Sequence, residues 1–167
     1  MFKQYLLNSI VKEMKVCRRL ATKIPVDKMN YKSKEETRSI GELLHYLSYI
    51  GTGIIRFWYR TDNSDMKTFF ASVKAETVVS SPGQFIAAMD AQIELVTKLF
   101  DTISEEDLNK KMVTYPWGET APLGEAIIET TIKWMTAYKL QLFSLIKHAT
   151  GQKLGTPDAW RLTEMTV

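Results

Sequence analysis

The chain has 167 residues, 45% hydrophobic and 25% charged, the size and make-up of one globular domain able to bury a real core. Its net charge of +3 is small, and basic residues alternate with acidic ones, so nothing argues for a nucleic-acid partner. The single cysteine, Cys17, cannot close an internal disulfide, which suits a reducing cytoplasm.

The N-terminus lacks the apolar run and cleavage site of a signal peptide. The most membrane-like stretch, 40–59, contains Glu42, His45 and Arg56 and makes a poor span. A soluble cytoplasmic protein with no membrane partner is expected.

Residues 2–22 read as a first helix, because Leu6, Ile10, Met14, Cys17 and Leu20 recur at three- and four-residue steps. Cys17 falls on that stripe and reads as a small buried hydrophobe. Pro25 closes the helix, and 26–38 is a polar connection. Ser39 with Glu42 forms a capping box for a second helix, 39–60, carrying Ile40, Leu43, Leu44, Leu47, Ile50 and Ile54 on one face. Gly51 and Gly53 lower its helix propensity, and close approach of a neighbour would explain them.

A long crossover, 61–81, is bounded by the turn-forming clusters TDNSD and SSPG and holds a short helix at 66–75. The third helix, 82–102, starts at Pro82 and has Phe85, Met89, Val96 and Phe100 on its stripe. A second polar loop, 104–120, contains the turn signal Tyr115-Pro116-Trp117-Gly118. The fourth helix, 122–149, stops at Gly151, and Trp160 reads as the anchor of a short tail over 156–167.

Two stretches resemble each other. Ile24, Met29 and Asn30 match Ile103, Leu108 and Asn109, and Ser39-Ile40-Gly41-Glu42 matches Pro122-Leu123-Gly124-Glu125. Each half then reads as helix, polar loop and a Gly-Glu helix start. A duplicated helical hairpin accounts for this and predicts an all-α, four-helix bundle in one domain (1–167). A long crossover between the second and third helices gives an up-down-down-up order.

There is no phosphate loop, no paired-cysteine zinc spacing, no HExxH and no GxSxG elbow. Of the two histidines, His148 sits near a helix C-terminus, where the dipole favours a cation. His45 lies with Gly41, Ser48 and Thr52 on a small polar strip beside the apolar face of the second helix.

The run Arg38-Ser39-Ile40-Gly41-Glu42-Leu43-Leu44-His45 resembles the start of the second helix in the DinB-like family, and the outline match covers nearly the whole chain. The resemblance implies a four-helix bundle in which this histidine is the first of three ligands to a divalent metal of the nickel or zinc type. The other two ligands come from a His-x-x-x-His pattern on the fourth helix, followed by Arg-Gly-Gln-Leu. Here the corresponding stretch has Trp134 and Tyr138 at the two histidine positions, then Lys139, Gln141 and Leu142. Indole has no lone pair for a cation and a neutral phenol is a poor ligand, so no specifically bound metal or other cofactor is expected.

Two functions stay open on these residues. One is a small-molecule-binding or structural, homodimeric bundle whose pocket is lined by His45, Trp134, Tyr138 and Gln141. The other, which the resemblance implies, is a metal-dependent hydrolase or thiol S-transferase using the cleft around His45.

Overall fold

The structure is a computed structural model and describes residues 1–162. It is mostly helical, with one small two-stranded sheet. Helix α1 (Phe2–Ala21) buries the Leu6, Ile10, Met14, Cys17 and Leu20 stripe. Helix α2 (Ile40–Trp58) begins at the expected capping box: Glu42 N–H donates to Ser39 Oγ at 3.1 Å and Ser39 N–H to Glu42 Oε2 at 2.6 Å. These bonds satisfy amides that the first helical turn leaves without partners. Helix α3 (Met66–Ala75) lies in the crossover, and α4 (Pro82–Thr102) starts on a Ser81 cap.

The second connection differs from the expected loop. It folds into helix α5 (Glu105–Lys110) and a hairpin of β1 (Met112–Thr114) and β2 (Thr120–Pro122). A Ser104–Asp107 capping box starts α5, a signal in the sequence that the polar composition obscured. Trp58 Nε1 donates to Thr114 O at 3.0 Å and holds the hairpin on the end of α2. The expected turn is present, with Tyr115 stacked on Trp117 at 4.5 Å.

Pro122 is the last residue of β2, so the final helix starts one residue later than expected. It runs as α6 (Leu123–Ile127), a π-helical turn (Ile128–Ile132) and α7 (Lys133–Thr150), ending at the left-handed Gly151. Thr130 Oγ bonds back to Ala126 O at 2.6 Å within the widened turn. A last helix, α8 (Thr156–Trp160), lies against α1 and α7. The rest of the expected tail, 163–167, lies outside the described residues.

Helices α1 and α2 each pack on both α4 and α7, and one continuous core joins all four. Gly51 of α2 lies within this core: a side chain there would meet Met14, Gln92 and Met135. No helix among the described residues is long and apolar enough to cross a membrane.

The matching stretches of the two halves make one and the same contact. Gly41 seats its backbone on Met29 O, and a Cβ there would stand 3.2 Å from that oxygen. Gly124 seats on Leu108 O, where a Cβ would stand at 2.9 Å. Met29 and Leu108 are the buried apolar residues that align in the repeat, as do Ile24 and Ile103, both also buried. A side chain at either glycine would push the helix start off its loop.

One charged pair lies inside the core. Lys139 of α7 is 0% exposed, with Nζ 2.6 Å from a carboxylate oxygen of Glu13 on α1. The Trp160 ring covers the ammonium at 3.9 Å, and Arg19 holds the α8 backbone through Pro157 O and Asp158 O. Tail anchoring by Trp160 is thus a cation–π contact from a partly exposed ring. Burial first, then the Glu13 charge, pushes the nearby Cys17 thiol far up, so it stays protonated.

Removing one partner of such a pair strands the other charge in an apolar core. Glu13→Gln is expected to lower the unfolding free energy by about 3 kcal/mol or more, read from denaturant melts. The double substitution Glu13→Leu/Lys139→Met should recover most of that loss, because both buried charges are gone.

Candidate functional site

The site forms where the 32–38 segment folds back over the start of α2. Ile40 N–H donates to Tyr31 O at 3.0 Å and Gly41 N–H to Met29 O at 2.8 Å, which ties the incoming loop to the helix. Thr37 closes the loop on itself by donating its hydroxyl to Lys34 O at 2.7 Å. Arg38, immediately before the Ser39 cap, is therefore directed along α2. Its guanidinium carbon lies 4.4 Å from the Tyr46 ring centre and 5.3 Å from that of Tyr138 on α7. Tyr46 and Tyr138 meet edge to face at 4.7 Å, and Tyr49 meets Tyr46 in the same way at 5.5 Å.

His45 stands beside this aromatic group, edge-on to Tyr49 at 5.8 Å. Its Nε2 donates to Lys74 O at 3.2 Å, near the end of α3. In the neutral ring that leaves Nδ1 as the nitrogen with a lone pair. Arg56 of α2 makes a two-pronged ion pair with Glu76 at 2.9 and 3.1 Å and fixes the end of the crossover at this place. Ser48, on the polar strip, is buried and donates to His45 O at 2.6 Å, so its hydroxyl is already used.

Between the loop, α2 and the end of α3 lies an open cleft of about 430 Å³. His45, Tyr46, Tyr49, Arg38, Lys32 and Lys74 line it, with carboxylates of Glu35, Glu36 and Glu42. Glu42 is held below the usual carboxylate range, first by the Ser39 backbone N–H and then by Lys32, which is 3.4 Å away. Among the described residues, neither Arg38 nor Lys74 has a carboxylate within ion-pair distance.

Of the four residues expected to form a pocket, His45 lines the cleft. Tyr138 stands behind Tyr46 and supports Arg38. Trp134, one turn earlier on α7, is half-buried and packs against the core, and Gln141 is half-buried one turn further on; neither lines the cleft. Sequence reasoning missed Arg38, Tyr46, Tyr49 and Lys74. Tyr46 and Tyr49 sit three apart on α2 beside His45, a spacing that was readable, but the Arg38 and Lys74 contacts are made through the fold.

A metal of the nickel or zinc type does not fit these groups. Among the described residues no three of His, Cys, Asp and Glu cluster closely enough to hold an ion. His45 spends Nε2 on a backbone carbonyl, and the Tyr138 ring already faces the Arg38 cation. His148, the other histidine, is exposed and donates to Ser144 O at 2.7 Å, a local helix contact. No protein-family model matches the chain. No curated protein matches it either.

Burial raises the Tyr46 and Tyr49 hydroxyls above the ordinary phenol value, with Tyr138 adding to the rise and Arg38 opposing it. Both therefore remain protonated donors at neutral pH. Removing the Arg38 charge removes the one influence favouring phenolate. In an alkaline titration followed by phenolate absorbance, Arg38→Gln should move the ionisation of Tyr49 to still higher pH.

Proposed function

We propose that this chain is a DinB-like four-helix bundle that binds a small molecule in the cleft beside His45, in place of the family's metal chemistry. The packing of α1 and α2 each on α4 and α7 supports four helices around one core, and the up-down-down-up order belongs to the same reading. The paired glycine contacts at Met29 and Leu108 support a duplicated hairpin. A cytoplasmic location belongs to the same reading, supported by the lone buried thiol. A homodimer belongs to it too, supported by the exposed Phe2, Tyr5 and Leu140 on α1 and α7.

One observation carries the binding reading. Arg38 is a cation without a carboxylate partner among the described residues, oriented on two tyrosine rings at the wall of an open cleft. Stacking restricts the long side chain before any ligand arrives, so less ordering entropy is lost when its N–H fork binds. Two protonated phenols and the free nitrogen of His45 add donors and an acceptor around the same space.

A fragment screen by NMR tests this directly, reading the His45 ring and Arg38 side-chain signals of isotope-labelled protein. A subset of small polar fragments should give saturable shifts there, lost in Arg38→Gln at unchanged melting temperature. A library that leaves both sets of signals unmoved would overturn the reading.

A further inference from the structure

The polar cleft continues into a second depression of about 390 Å³. His45 and Lys74 line both. The remaining lining of the second is Ala71, Ala75, Thr77, Val78 and Val79, from the end of α3 and the segment after it. It carries no ionisable side chain beyond the two shared residues. Val78 is 75% exposed.

The two halves differ in chemistry and meet at one imidazole. On the polar side, the donors facing the cleft are the Arg38 fork, the Lys74 ammonium and the Tyr49 hydroxyl, while the Tyr46 hydroxyl is hydrogen-bonded to Tyr138. Lys32 is matched by Glu42. Glu35 and Glu36, both exposed, add negative charge to the lining, which penalises a second negative charge on any ligand. Such a lining selects a singly charged head over a phosphate. The apolar side offers a shallow strip of alanine and valine side chains leading away from that head.

We propose that the ligand of this cleft is an amphipathic monocarboxylate, its carboxylate on Arg38 and Lys74 and its alkyl chain along Ala71, Ala75, Val78 and Val79. This rests on the small-molecule reading above and names the chemical class it takes. A planar carboxylate matches the two-pronged guanidinium, and the chain covers apolar surface otherwise left to water. The crossover gains a role here, because α3 and the residues after it supply the apolar wall that the long helices do not.

Octanoate, used below its micelle concentration and at fixed pH, is the probe, with the His45 ring signals as readout. It should bind at least tenfold more tightly than octanol, the difference expected of a charge-assisted hydrogen bond. It should also bind at least tenfold more tightly than acetate, because the added methylenes leave water. Arg38→Gln should weaken octanoate about tenfold, and Val78→Ser should weaken octanoate several-fold while leaving acetate unchanged. Equal binding of octanoate and octanol, or tighter binding of octylamine, would overturn the carboxylate head. Saturable acetate binding with no gain from chain length would overturn the amphipathic ligand and leave the small-molecule cleft standing. If fragments of every class leave the His45 signals still, both readings fall together.

Discussion

The fold turns on a lysine ammonium that has no contact with water. Lys139 is enclosed by Glu13 from α1 and the Trp160 ring from α8, so three elements converge on one charge. A buried pair of this kind adds little net stability compared with apolar side chains of the same volume. Its consequence is positional, because any slip of α7 along α1 would leave a bare charge among Leu, Ile and Met side chains. The pair therefore fixes how α7 is placed. Tyr138, the residue before Lys139, is turned about 100° around the helix from it, where it meets Tyr46 and Arg38.

The Arg38 stack at the wall of the cleft follows from that placement. Arg38 needs two aromatic faces to lie on, one from α2 and one from α7, and the α1–α7 register supplies the second. The loop before α2 brings the guanidinium to them, since Gly41 allows the loop carbonyl of Met29 to approach the helix start. The equivalent contact at Gly124 and Leu108 seats the start of the final helix. One backbone device, used twice, thus sets the angle of the helix carrying His45 and of the helix carrying Tyr138.

The long helices were legible because their apolar stripes are regular and their caps are chemical signals, as at Ser39 and Gly151. The short α3 was legible between its two turn clusters, and the alignment of Met29 with Leu108 was legible as a repeat, whereas the glycine contact that both make is visible only in the fold. The α5 helix and the hairpin were hidden by polar residues that satisfy each other locally, notably Ser104 with Asp107. The π-helical turn has no glycine or proline to announce it. At the site, His45 was legible, whereas the Arg38 stack joins residues 100 apart in sequence and is a product of tertiary packing. Lys139 reads in isolation as a surface residue, and only the position of Glu13 across the helix interface makes its burial affordable.

In the proposed reading, Trp134 and Tyr138 stand where the family's metal centre has histidines, and Arg38, stacked on Tyr46 and Tyr138 beside His45, meets the ligand instead. Calorimetric titration of zinc and of nickel into protein purified without a metal column tests it most directly. The account predicts no saturable one-to-one binding, with wild type and His45→Ala giving the same trace. Tight stoichiometric binding by the wild type, abolished in His45→Ala, would contradict it.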